Sequence, residues 1–145
     1  MLKYDYFMKL ALKEAKKCLR KNEIPVGAII VDEFKNIISK GHNKVEEKNN
    51  PLFHAEKIAI DKALSKTNKR YLDNCDIWVT LQPCQMCMGM IKQVRIKRLY
   101  YGASISNSSM KNKLNNRLCG EIYSGIKEDE CSKLIKDFFK GVRLD

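Results

Sequence analysis

Apolar residues recur every three or four positions across residues 5–21, where Phe7, Leu10, Ala11, Ala15, Cys18 and Leu19 alternate with lysines. That period marks one face of an α-helix and predicts an amphipathic helix stopping at Asn22. The pattern then changes. Pro25 to Val31 is a continuous, partly β-branched apolar run, as expected of a strand buried on both faces. Asp32 to Lys35 reads as a turn, and Asn36 to Ser39 returns as a second strand, close enough for an antiparallel hairpin. Residues 42–53 are polar and broken by Asn49-Asn50-Pro51. His54 to Ser65 has helical spacing, with Ala55, Ile58, Ala59, Ala63 and Leu64 inward. Ile77 to Leu81 is a strand, and Pro83 suits the first turn of the helix after it. Ile96 to Tyr101 is a further strand ending at Gly102. Residues 104–117 read as a Ser-, Asn- and Lys-rich loop, and Lys127 to Lys140 as a last amphipathic helix.

Helices alternating with buried strands predict a layered α/β domain around a partly parallel sheet. The 145 residues suit one domain, residues 1–145, with a core large enough to need no disulfide staple. No apolar run approaches the ~20 residues that span a bilayer, and the first residues lack the apolar core of a signal peptide. The expected location is therefore the cytoplasm, without a membrane partner, and the six cysteines are expected free or metal-bound.

Charge adds a partner. The chain carries 28 basic and 17 acidic residues, a net +11. The excess lies in two blocks. The first 23 residues hold seven basic against three acidic, and Ile77 to Gly120 holds no acid at all. Such a field favours a polyanion such as nucleic acid, although lysine-rich faces also simply keep a protein soluble.

Two short motifs carry the candidate chemistry, His54-Ala55-Glu56 and Pro83-Cys84-Gln85-Met86-Cys87. Each stands at the start of a predicted helix. Cys84 and Cys87, three apart, turn both sulfurs toward one point. A helix N-terminus favours the thiolate, the form that binds zinc. His54, Cys84 and Cys87 make three ligands. Three protein ligands leave a fourth position for water, the pattern of a catalytic zinc, whose water has a pKa near ~7. Glu56, two residues after His54, is placed to move that water's proton. The other four cysteines, Cys18, Cys75, Cys119 and Cys131, are expected to pack.

His-x-Glu followed by Pro-Cys-x-x-Cys resembles the signature of the zinc nucleobase deaminases. Within them the chain is most similar to the bacterial tRNA adenosine deaminases, on Glu23 to Ala28, Gly41-His42-Asn43, Thr80 to Cys87, Arg95-Ile96, Tyr101-Gly102-Ala103 and Asp137 to Lys140. It departs from them at Asn50, Phe53, Gln82 and the Ser104–Asn107 segment.

The resemblance implies a three-layer α/β fold, a mixed five-stranded sheet with helices on both faces. It implies one zinc per subunit, a homodimer, and conversion of adenosine to inosine at the wobble position of a tRNA anticodon loop. Glu56 would be the acid/base. Asn43, the Ala55 N–H, Ile24, Val26 and Pro83 would receive the base, and Phe138, Phe139, Lys140 and Arg143 would meet the loop. With both cysteine ligands inside the acid-free stretch, a positive field is expected around the mouth of the site. Two other readings stay open here: a deaminase of a free base or nucleoside such as cytosine or guanine, and a zinc-stabilised RNA-binding module without catalysis.

Overall fold

The computed structural model describes residues 3–104 and 120–144. Helix α1, Lys3–Lys16, tightens into a 3₁₀ turn, Lys17–Lys21, and Asn22 closes it at a left-handed φ of 55°. Then follow β1 (Gly27–Val31), β2 (Ile37–His42), the short α2 (Val45–Lys48), α3 (Ala55–Thr67), β3 (Asp76–Leu81), α4 (Gln85–Gln93), β4 (Arg98–Ala103), β5 (Glu121–Tyr123) and α5 (Glu128–Leu144). Asp32 builds the β1–β2 turn, its Oδ1 accepting the N–H groups of Phe34 and Asn36 at 2.9 Å each.

The sheet order is β2-β1-β3-β4-β5. β1 pairs antiparallel with both neighbours, and β3, β4 and β5 run parallel. Alternation along each strand feeds two cores, one per face. Ala28, Ile30, Ile77, Val79 and Leu99 pack under Ala59, Ile60 and Ala63 of α3 and Met88 and Ile91 of α4. Ile29, Val31, Trp78 and Tyr100 pack under Phe7, Met8, Ala11 and Leu12 of α1 and Cys131 of α5. On this second face Trp78, Tyr100 and Tyr123 stack across three strands, with ring centroids 3.8 and 5.0 Å apart.

Two glycines set how close the layers come. A Cβ on Gly27 would stand 2.1 Å from Ala11 O in α1, and one on Gly41 2.5 Å from Ala55 O in α3. The second contact holds the start of α3 against the end of β2.

The predicted elements recur with four differences. β2 runs three residues further, to His42, because its buried positions are Ser39 and Gly41, small side chains that leave no apolar signal. Helix α2 lies inside the stretch expected to be irregular. Pro83 stands just before the N-cap of α4, Cys84, rather than within its first turn. β5 is an additional strand, completing the five-stranded sheet. Nearly all of the expected 104–117 loop lies outside the described residues.

Candidate metal centre and cleft

Two connections leave the sheet and start helices side by side. His54 is the N-cap residue of α3 and Cys84 the N-cap residue of α4, both in extended backbone. Ligand atoms of His54, Cys84 and Cys87 lie within 4.8 Å of one another. His54 Nδ1 is 3.7 Å from Cys84 Sγ and 3.5 Å from Cys87 Sγ. With Zn–S near 2.3 Å and Zn–N near 2.0 Å, a tetrahedral centre needs an S···N separation of about 3.5 Å. The residues therefore fit a zinc ion.

Electrostatics agree with geometry. A hydrogen bond from the Cys87 thiol brings Cys84 down to about 5, burial opposes it, and the N–H groups of Cys87 and Met86 add to it. The thiol of Cys87, which gives that bond and is itself buried, is pushed up. Cys84 is thus a thiolate near neutral pH, held by the first turn of its own helix. Glu56, in the first turn of α3, is 4% exposed. Burial pushes its carboxyl up to about 7.

These groups open onto a cleft of about 540 Å³. Ile24, Val26, Val45, Pro51 and Leu81 give it an apolar lining. Asn43, Gln82, Phe138 and Phe139 also line it, the two Phe rings meeting edge to face with centroids 5.3 Å apart. Asn43 is anchored in the wall by one bond at each end of its amide, leaving a second N–H and a second lone pair. Its Oδ1 accepts the Ala55 N–H at 2.8 Å, and its Nδ2 donates to Ile24 O at 3.0 Å.

The structure thus brings His54, Cys84, Glu56, Asn43, Ile24, Val26, Phe138 and Phe139 to one cleft, with Cys87 buried beside His54 and Cys84. Ala55 is buried behind it with its N–H turned to Asn43. Pro83 is buried and not among the lining residues, and Lys140 is exposed on α5. The side chain of Arg143 lies outside the described residues. Glu23 and Gln82, 1% and 3% exposed, also line the cleft. Neither is a site residue in the sequence reading, where Glu23 only heads the stretch Glu23 to Ala28 and Gln82 only marks a departure from the family before Pro83.

The expected positive field at the mouth takes a different form. Among the described residues the lining holds the carboxylates of Glu23, Glu46 and Glu56 and no Lys or Arg. Lys92 sits in the last turn of α4 and Arg95, Lys97 and Arg98 follow it. A nine-residue helix carries them about 14 Å from its start at Cys84. Arg95 lies flat over Tyr71, 3.9 Å from the ring, and Arg98 pairs with Glu121 and Asp76. Lys111, Lys113 and Arg117 lie outside the described residues. Net charge over a stretch of sequence does not say which end of a helix carries it.

Comparison with known proteins bears on this site. The family model of the cytidine and deoxycytidylate deaminase zinc-binding region matches residues 1–103. A tRNA-specific adenosine deaminase of Rickettsia bellii is 48% identical over 144 residues, covering 94% of this chain and 99% of that protein. One of Aquifex aeolicus is 42% identical over 148 residues, covering 96% and 95%. A solved structure from a study of A-to-I editing by tRNA:A34 deaminases at the wobble position of transfer RNA superposes with a TM-score of 0.80. It is 33% identical and covers 89% of this chain and 98% of its own.

Proposed function

This chain belongs to the cytidine and deoxycytidylate deaminase zinc-binding family, and on that footing we propose that it hydrolyses the amino group of adenosine to leave inosine at the wobble position of a tRNA anticodon. The observation that carries the reading is a three-ligand metal cluster with a buried carboxyl beside it, opening onto an apolar cleft. Near full-length identity to tRNA-specific adenosine deaminases supports the substrate.

A zinc ion on His54 Nδ1, Cys84 Sγ and Cys87 Sγ supplies the Lewis acidity that makes water a nucleophile near neutral pH. The chain's own residues do the rest. Glu56 takes a proton from the attacking water, delivers it to a ring nitrogen of adenine, and then assists departure of ammonia from carbon 6. Of the three cleft carboxylates Glu56 alone suits this task. Glu23 is spent on peptide N–H groups and Glu46 is exposed. Ile24 and Val26 flank the base. Asn43 orients it, and Ala55 acts through Asn43, because its N–H is already donated there. Phe138 and Phe139 stack on loop bases and Lys140 meets the phosphates, a role the reading also gives Arg143. A lining of apolar groups and carboxylates accepts an uncharged base and repels a phosphate. The target nucleotide must therefore leave its stack, which costs least in a single-stranded loop.

The reading carries a single deaminase domain over residues 1–145, a homodimer and a cytoplasmic location. Among the described residues Cys18, Cys75, Cys84, Cys87 and Cys131 form no disulfide, and in this reading Cys84 and Cys87 hold the zinc while the others stay reduced. Among the described residues no helix is long and apolar enough to cross a membrane.

The test is incubation of the zinc-loaded protein with an anticodon stem-loop and with total tRNA, reading adenosine-to-inosine change by sequencing, with free adenosine, cytosine and guanine in parallel. Turnover of the free compounds without change in RNA would replace the proposed substrate. Binding is expected to weaken about tenfold or more between about 50 and 200 mM salt, as contact with roughly three phosphates requires. Salt-independent affinity would contradict phosphate contacts by the outer lysines.

A further inference from the structure

The wall of the cleft depends on a carboxylate that the proposed chemistry does not use. Glu23 is 1% exposed, the most buried acid among the described residues. A carboxylate out of water is tolerated only when its oxygens are satisfied. Glu23 Oε1 accepts the N–H of Glu46 at 3.0 Å, and Oε2 accepts that of Glu47 at 2.7 Å. Both amides belong to the first turn of α2. A four-residue helix cannot sustain itself, so α2 stands where outside contacts hold it. One further contact is the exposed ion pair of Lys21 with Glu47.

The same seam continues inward. Asn43 N donates to Val26 O at 3.2 Å and Asn43 Nδ2 to Ile24 O at 3.0 Å. Residues on both sides of the seam, Ile24 and Val26 on one and Val45 and Glu46 on the other, line the cleft. Asn43 fastens the inner end, next to the metal ligands, and Glu23 fastens the outer end.

We infer that Glu23 is a positioning residue: its buried carboxylate clamps α2 to the segment before β1 and so sets where the Val45–Glu46 wall meets the substrate. This rests on reading the cleft as the seat of the adenosine. The clamp acts on binding, while the metal and Glu56 act on the chemical step.

Three variants test it. Glu23→Gln keeps the shape but turns an amide N–H toward a peptide N–H. Glu23→Asp keeps the charge and shortens the reach. Lys21→Ala removes only the exposed pair. Zinc content, hydrogen exchange at the Glu46 and Glu47 amides, and kcat and KM on the stem-loop are measured for each zinc-loaded protein. For Glu23→Gln, exchange at both amides is expected to quicken about tenfold or more, the scale of losing one charge-assisted hydrogen bond. KM rises by about tenfold while kcat stays within about threefold, the mark of lost binding rather than lost chemistry. Zinc content is unchanged, Glu23→Asp falls between, and Lys21→Ala matches the parent.

Unchanged exchange and KM in zinc-loaded Glu23→Gln overturn the inference. So does a fall in kcat at constant KM, which a general loss of active protein produces. If Glu23→Gln does not fold, Glu23→Asp decides by the same readings. If the parent does not deaminate the stem-loop, the functional reading fails separately. Exchange at the two amides then still decides the clamp, quickened exchange supporting it and unchanged exchange overturning it.

Discussion

Glu56→Gln will lower single-turnover deamination of the stem-loop by about 10²–10⁴-fold, the usual weight of a positioned acid/base group. Zinc will stay at the parent level. The two halves of this result come from different atoms. Among the described residues the metal cluster is formed by His54, Cys84 and Cys87 and does not include Glu56, so an isosteric change at Glu56 leaves it standing. The proton transfers have no substitute. The other buried acids among the described residues are committed elsewhere: Glu23 to two peptide N–H groups, Glu14 to His42 and Lys17, and Asp76 to Arg98. Activity within tenfold of the parent, at full zinc content, would remove Glu56 from the mechanism. Loss of zinc would show instead that the carboxyl holds the ligands in place.

Stripping the metal, by chelation or by Cys84→Ser, is expected to abolish deamination and yet leave a folded protein. Small zinc domains unfold without their ion because the ion replaces a core. Here the ligands sit at the entrances of α3 and α4, outside the packing that holds the sheet. Met8, Ile29, Ile30, Leu72, Ile77, Ile91, Ile96 and Leu99 are each under 2% exposed. Each contributes about 1.5–3 kcal/mol. The metal-free protein should therefore melt in one cooperative transition at a lower temperature, with the difference set by metal binding to the folded state alone. Circular dichroism against temperature, with and without chelator, reads this directly. A non-cooperative, unfolded apo-protein would assign the ion to the fold as well as to the reaction.

The metal centre was legible in the sequence because its parts are local. His-x-Glu and Cys-x-x-Cys each occupy the first turn of one helix, where spacing along the chain is also spacing in space. The strands of the buried sheet were legible for a similar reason, since Gly27–Val31 and Asp76–Leu81 are nearly continuous apolar runs. What the sequence hid depends on distant partners. Helix α2 takes its N–H acceptors from Glu23, more than 20 residues earlier. β5 has three residues and is pinned by the pairing of Glu121 with Arg98 across 23 positions. β2 buries Ser39, whose hydroxyl donates to Ala59 O at 2.6 Å, a polar residue that no hydrophobic pattern counts. The arrangement of charge was hidden too, because the acid-free stretch crosses from the cleft to the opposite end of the sheet and back.

The stacked rings on the α1 face give the molecule a built-in optical probe. Trp78 is its one tryptophan. It is 3% exposed, lies flat on Tyr100 and is not among the residues lining the cleft. Its emission therefore reports the integrity of that layer rather than occupancy of the cleft. Unfolding can be followed by fluorescence with RNA present, and a change in RNA affinity can be told from a change in stability within one sample.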